Sequence, residues 1–344
     1  MFGRADIGID LGTASIVIYV KGTGIVLREP SVVALDKTTG GVIAVGEQAH
    51  KMIGRAPKNI AVIRPLRGGV ISDYDVTERM LRHFMGKIGG RRMLLKPNVV
   101  VCVPSGVTEV EKRSVVDAAL DAGARDVKLI EEPIAAAIGA GIDISQPQGS
   151  MVVDIGGGTC DIAVISMGKP AASLSIKTAG DAFDDSIIRY MRRQHNLLIG
   201  EQTAENIKLH IGCAVLKPQA VFMDVSGRST ESGMPRTVSI SSDEITEALA
   251  EPVFAILSAI HEVLERTPPE LAADIYETGI ILTGGGALLD GLDTLATDQI
   301  KVECKVAQNA QSCVAIGTGK ALESGDKFGG AIFEYRRGGN YLGL

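Results

Sequence analysis

The feature that most limits what this chain can fold into is a short motif that occurs twice. Near the N-terminus, Ile7-Gly8-Ile9 runs into Asp10-Leu11-Gly12-Thr13-Ala14-Ser15 and leaves through Ile16-Val17-Ile18-Tyr19-Val20. Far downstream, Met151-Val152-Val153 runs into Asp154-Ile155-Gly156-Gly157-Gly158-Thr159 and leaves through Ile162-Ala163-Val164-Ile165. Each copy is an apolar strand ending in Asp, a Gly/Thr turn and a second apolar strand, which predicts a β-hairpin. Two such hairpins in 344 residues predict a duplicated domain and at least two packed lobes.

The chemistry of the turns narrows their use. A phosphate needs backbone N–H donors at close range, and only glycine lets the main chain approach without a Cβ in the way. Both Gly12-Thr13-Ala14-Ser15 and Gly156-Gly157-Gly158-Thr159 offer this. The carboxylates of Asp10 and Asp154 would face the same phosphates, and that pairing is repulsive unless a cation lies between. Mg²⁺, held through water, is therefore expected with the nucleotide. A third glycine run, Gly284-Gly285-Gly286, follows the apolar Ile280-Ile281-Leu282 and precedes a helix expected from Ala287, a nest suited to an adenosine or anionic group. One such turn alone is usually only a turn. Three together make nucleotide binding the stronger reading.

Two competing phosphate motifs fail on the residues. Gly284 to Leu289, with Glu303 further on, imitates a dinucleotide fingerprint, but Leu289 occupies the third glycine position and the twin Asp hairpins stay unexplained. No G-x-x-x-x-G-K-[ST] run occurs, which excludes a P-loop.

Elsewhere strands alternate with helical patterns, so the expected class is α/β with helices packed on sheets. Val99 to Val103 reads as a strand buried on both faces. Thr108 precedes Glu111 by three, a capping box for a helix reaching about Ala122. A longer helix is expected after Ser242, interrupted at Pro252 and ended by Thr267-Pro268, with Pro269 opening the next. The last twenty residues, with Gly325, Gly329, Gly330, Gly338, Gly339 and Gly343, read as a frayed tail. The aromatic and apolar Phe333, Tyr335, Tyr341 and Leu344 within it are the residues that would meet a partner.

Composition removes other classes. A net charge of −6 argues against nucleic acid held by general basicity, and 4% aromatics without Trp against stacking on single strands. The five cysteines form no C-x-x-C pair, so neither zinc nor a disulfide framework is indicated; three sit in apolar runs as small core residues of a reducing compartment. Met1 to Asp6 enters a strand pattern at once, which leaves no place for a signal peptide, and no apolar run is long enough to cross a bilayer. A cytoplasmic location is expected.

The order of the motifs carries a resemblance. The first hairpin resembles the first phosphate motif of the actin, Hsp70 and sugar-kinase superfamily, and Asp154 to Asp161 the second. Leu129 to Gly139 is similar to the first connecting helix, Leu282 to Ala287 to the adenosine motif, and Cys313 to Gly319 to the second connecting helix. Within that superfamily, Glu29-Pro30-Ser31-Val32-Val33-Ala34, Ile63 to Leu66, Gly200 to Lys208 and Arg266 to Leu271 resemble the MreB-type bacterial actins, from about residue 5 to about 323. Asp161 to Gly168 and the short N-terminus look most like their Mbl branch.

The resemblance implies an actin-like ATPase fold of two duplicated α/β lobes with ribonuclease H-like sheets and the nucleotide between them. The lobes would cover residues 1–142, with a small subdomain at about 33–75, and 143–312, with a small subdomain at about 181–242. A connecting helix at 313–323 and a flexible tail at 324–344 would complete the chain. It implies ATP held by Thr13, Ala14, Ser15, Gly156, Gly157 and Gly158 at the phosphates, by Glu205, Asn206, Ile207 and Lys208 at the ribose and base, and by Gly284, Gly285, Gly286 and Ala287 at the adenosine. Asp10 and Asp154 would organise Mg²⁺, while Glu132 would orient the attacking water, with Thr159 beside it. Slow ATP hydrolysis would accompany a cytoskeletal filament that maintains rod shape by organising cell-wall synthesis. Read without the resemblance, Glu205 and Lys208 are an i,i+3 surface ion pair. Two positions depart from the family pattern: Ser15 stands for Asn and Cys160 for a second Thr, which implies slower hydrolysis.

Arg91-Arg92-Met93-Leu94-Leu95-Lys96 sets three large apolar residues between cations. Such a segment suits either a buried turn or insertion at an anionic bilayer surface. The resemblance favours the second, with Met93, Leu94 and Leu95 as the membrane contact of a peripheral protein on the inner face. The further partners it implies are other copies of the chain, in polar or antiparallel protofilaments, and elongation proteins of the MreC, MreD and RodZ kind. A metabolic kinase and a non-polymerising nucleotide-dependent adaptor are the alternatives on the same fold.

Overall fold

Both Asp-ending hairpins form, and each seeds a sheet. The computed structural model describes residues 6–89, 96–323 and 332–334. In the first sheet the strand order is Gly24–Pro30, Ser15–Val20, Asp6–Leu11, Asn98–Val103 and Asp126–Glu131, with Ile332–Glu334 at the far edge. In the second it is Lys169–Ile176, Cys160–Ser166, Ser150–Ile155, Ile280–Thr283 and Cys304–Val306. The first three strands of each series are antiparallel, and the Asp-ending strand then pairs in parallel with the next, which is parallel to the last. Order and direction are the same in both sheets, so the duplication legible in the hairpins extends over five strands. The parallel strands all deliver their carboxyl ends, where ligands of such sheets bind, to the crevice between the lobes.

A three-stranded sheet of Val33–Asp36, Val42–Val45 and Ile60–Ile63 is inserted in the first lobe, and one of Leu197–Leu198, Phe222–Ser229 and Pro235–Ser241 in the second. Helix starts follow local chemistry. Thr108 Oγ1 accepts from the Glu111 amide at 3.3 Å while Glu111 Oε2 accepts from the Thr108 amide at 2.7 Å, opening helix Glu109–Asp121. Ser241 and Glu244 form the same box ahead of Ser242–Glu265. Pro252 does not end that helix, because buried Leu249, Val253 and Ile256 hold the turns on either side. Helix Pro269–Thr278 begins on its proline, as expected.

Two expectations are corrected. No helix starts at Ala287: a single tight turn covers Gly286–Leu288, Leu289 is extended, Gly291 turns left-handed at φ 75°, and the helix is Leu292–Ile300. The tail is not wholly frayed either. Ile332–Glu334 pairs antiparallel with Asp126–Glu131, Phe333 packs on the first lobe's core, and Lys112 Nζ lies 5.2 Å from its ring centre, so this aromatic meets its own chain.

Connecting helices Glu132–Ala140 and Cys313–Glu323 lie between the lobes. Ile134, Ala136 and Val314 share one apolar cluster with Val100 and Ile130 of the first sheet and Val152 and Ala163 of the second. All five cysteines are buried and unpaired.

Candidate functional site

Each hairpin turn is closed by one backbone bond, Gly12 N to Ser15 O at 3.1 Å and Gly156 N to Thr159 O at 2.9 Å. The two tips then meet across the crevice. A Cβ on Gly157 would overlap Ala14 and one on Gly158 would overlap Thr13, so only glycine permits this approach. Thr13 Oγ1 accepts from the Gly69 amide at 2.9 Å, which ties a third loop to the tips. Among the described residues no acceptor takes the amide hydrogens of Thr13, Ala14, Gly157 or Gly158. These are the donors a phosphate would need.

Four carboxyl groups lie behind the tips: Asp10, Glu132, Asp154 and Asp161. Thr283 Oγ1 donates to Asp154 Oδ1 at 2.6 Å, the Cys102 thiol to Asp10 Oδ1 at 3.4 Å, and the Ser105 amide to Asp161 Oδ1 at 2.8 Å. The other Asp161 oxygen is buried without a partner. Burial pushes Asp154 up to about 7, against the Thr283 hydrogen bond and with the repulsion of Asp10 and Asp161. Burial likewise raises Asp10 to about 6, opposed by the Cys102 thiol and Arg28, and Asp161 to about 6, opposed by the Ser105 amide. Glu132 is driven well above the carboxylate range by burial and then by Asp161, Asp154 and Asp10. Among the described residues no three acidic, His or Cys side chains converge closely enough to hold a metal alone. A cation here would complete its shell with water and phosphate oxygens.

The third glycine run joins the second hairpin by packing. Gly284 sits at φ 83° with its α-carbon against the Ile155 carbonyl, and Gly286 lies against the Ile155 side chain, one residue beyond Asp154. Gly285 is exposed at this edge, whereas Ala287 is buried. On helix Glu201–Ile211, Glu205 and Lys208 do not pair with each other. Lys208 Nζ binds Asp184 Oδ2 at 2.9 Å and the Gly180 carbonyl at 3.2 Å, and Glu205 lies 3.8 Å from His50 of the other lobe. The Asn206 carbonyl accepts from the His210 ring at 2.7 Å, and the Ile207 side chain is fully buried in the second lobe's core.

Thr159 is buried, and Ser15 begins its strand. Cys160 is wholly buried inside the second core. Sequence reading missed Thr283, Ser105 and Cys102. Thr283 had a signal, since it ends the strand whose register places it beside Asp154; Ser105 and Cys102 had none. Met93, Leu94 and Leu95 lie outside the described residues. No described helix is long and apolar enough to cross a membrane.

Comparison with known proteins agrees with this geometry. A family profile described as MreB/Mbl protein matches residues 4–329. The chain is 55% identical over 329 residues to the cell shape-determining protein Mbl of Bacillus subtilis (strain 168), covering 95% of this chain and 98% of that one. It is 51% identical over 333 residues to the cell shape-determining protein MreB of Escherichia coli (strain K12), covering 95% and 96%. Among solved structures, MreB 5 of Spiroplasma citri bound to AMPPNP superposes with a TM-score of 0.89 at 40% identity, covering 93% of this chain and 96% of that one. The MamK double helical filament shares the fold, with a TM-score of 0.82 at 20% identity over 94% of this chain and 99% of that one.

Proposed function

Because this chain belongs to the MreB/Mbl protein family, we propose that it is an ATP-dependent bacterial actin that assembles with copies of itself on the inner face of the membrane. Its role is cytoskeletal and concerns cell shape, as the names of its Mbl and MreB relatives state for those proteins. Nucleotide binding is supported by the S. citri MreB structures, which hold AMPPNP and ADP. The observation that carries the reading is the meeting of Thr13 and Ala14 with Gly157 and Gly158, where unmet amides stand in front of buried carboxylates.

Mg²⁺ fits this site on the chain's own terms. Four carboxyl groups in a low-dielectric crevice repel one another, and one Asp161 oxygen lacks any partner. Asp10 and Asp154 would hold the ion through water, and its charge would let them ionise beside the phosphates. Thr13, Ala14, Gly157 and Gly158 bind and orient the phosphates through backbone donors, while Ser15 and Gly156 close the two turns. Glu132, in the first turn of its helix and followed by Pro133, would accept a proton or a hydrogen bond from water in the crevice. Glu205 and Lys208 close the nucleoside end. Membrane attachment through Met93, Leu94 and Leu95, and association with elongation proteins of the MreC, MreD and RodZ kind, complete the proposal.

Calorimetry with ATP and Mg²⁺, followed by high-speed pelleting, tests this function. Binding with ATP-dependent sedimentation is expected. Phosphoryl transfer to sugars without sedimentation would replace the filament with a kinase, and absence of nucleotide binding would remove the reading altogether.

A further inference from the structure

The mouth of the crevice is bridged by polar contacts between the small sheet region of the first lobe and helix Glu201–Ile211 of the second. Gln202 Nε2 donates to the His50 carbonyl oxygen at 2.5 Å. Arg64 Nη2 lies 3.5 Å from Glu201 Oε2, and His50 Nε2 lies 3.8 Å from Glu205 Oε2. His50 ends the short helix Glu47–His50, and Arg64 directly follows strand Ile60–Ile63, so two separate elements converge on one helix. That helix is the one that presents Glu205 and Lys208. Within its own lobe Lys208 is already held by Asp184 and the Gly180 carbonyl.

At the phosphate end glycines of one hairpin tip press on Ala14 and Thr13 of the other, and at the base Gly139 and Gly317 bring the connecting helices into backbone contact. The mouth is bridged instead by long side chains that reach across it. Its ion pair is weak by position, since the Glu201 side chain is 58% exposed and Arg64 26%. Exposed pairs of this kind contribute little and break readily. Arg64 also faces Asp181 of the second lobe, where it opposes the upward push of burial on that carboxyl. Contacts of this strength suit a closure that opens and recloses.

We propose that Arg64 and Gln202 form a clasp that positions helix Glu201–Ile211 over a bound nucleotide and sets how fast the nucleotide leaves. This inference rests on the reading of the crevice as a nucleotide site. Neither residue touches the nucleotide in that reading; both act through the helix that does. Opening the clasp separates the two lobes at the mouth while the hairpin tips and connecting helices remain the fixed side.

The test is stopped-flow displacement of a fluorescent ADP analogue from the full-length protein in Mg²⁺. Arg64→Glu and Glu201→Arg should each speed release by about 2- to 5-fold, the range an exposed ion pair commands. The double reversal should bring release back toward the parent rate, because it recreates the pair with opposite polarity, although the contact of Arg64 with Asp181 is not recreated. Gln202→Ala should speed release without charge change, with its melting temperature near the parent's. Release at the parent rate in the single variants, or no restoration in the double, overturns the clasp while leaving nucleotide binding intact. A parent protein that binds no analogue at all overturns the nucleotide reading and the clasp with it.

Discussion

Gly317 of the returning helix packs so closely on Ala135 that a Cβ at Gly317 would overlap the Ala135 carbonyl oxygen. Gly139 stands in the same relation to the Cys313 carbonyl. The obstacle in both cases is main chain, which cannot rotate away as a side chain can. Gly317→Ala or Gly139→Ala should therefore force the connecting helices apart and destabilise by about 1–3 kcal/mol or more. Gly86, inside helix Tyr74–Gly89 with open space around it, is the contrast. Gly86→Ala should stabilise by about 0.5–1 kcal/mol, since alanine loses less backbone entropy in a helix. Denaturant unfolding of the three variants checks both signs at once.

The carboxylates of the crevice make stability depend on pH in a stated direction. Burial raises Asp154 from an ordinary 3.8 to about 7, and Asp10 and Asp161 to about 6. Between about pH 4 and 7 the folded chain thus keeps protons that the unfolded chain has released. These groups favour the fold at the low end of that window, and the contribution is lost as pH rises through it. Asp154→Asn, which imitates the protonated form, should gain stability relative to the parent as pH rises from 5 to 8. The shift amounts to a few kcal/mol at most, at about 1.4 kcal/mol per unit. Mg²⁺ with ADP should raise the parent's melting temperature more at pH 7.5 than at pH 5.5. Thermal melts across this range that show the opposite order would remove the cation from the site.

Glu132 has a different task from the hairpins. It is buried behind them, pressed by Asp161, Asp154 and Asp10. Glu132→Ala should leave ATP affinity near the parent's while slowing phosphate release by about 10²-fold, the usual contribution of a positioned acid–base group. The expected polymers assemble and persist. Unchanged phosphate release in single-turnover assays would take the role from Glu132.

What the sequence showed and what it hid follow from the range of the interactions involved. The hairpins at Asp10 and Asp154, the capping box at Thr108 and the proline start at Pro269 rest on contacts within a few residues and were legible, whereas the equally local box at Ser241 was not read. The third glycine run was read as opening a helix because its spacing imitates one. Gly291 lies against Val215, and the Asp290 carbonyl accepts the Ala214 amide, so distant chain sets the turn there. The same holds for Phe333, whose partners Leu129 and Lys112 lie some two hundred residues away. Lys208 illustrates the limit at the site itself: its spacing from Glu205 suggests a local pair, while its partner in the fold, Asp184, belongs to another helix.

The last prediction concerns Met93, Leu94 and Leu95, whose placement lies outside the described residues. Helix Tyr74–Gly89 precedes them in the chain, and Arg91, Arg92 and Lys96 flank them in sequence. Three large side chains entering the acyl boundary would each contribute up to about 1.5–3 kcal/mol if fully buried, and less at interfacial depth. Each flanking cation adds about 1 kcal/mol near an anionic surface. One subunit would bind weakly and reversibly on those terms. A polymer repeats the segment many times, so avidity makes attachment depend on assembly. Leu94→Ser combined with Leu95→Ser should abolish co-sedimentation with anionic liposomes while leaving nucleotide binding and the melting temperature nearly unchanged. A markedly lower melting temperature would assign these residues to the core. A variant that folds normally and still pellets with liposomes would move the anchor elsewhere, to the N-terminal residues or the aromatic C-terminal segment.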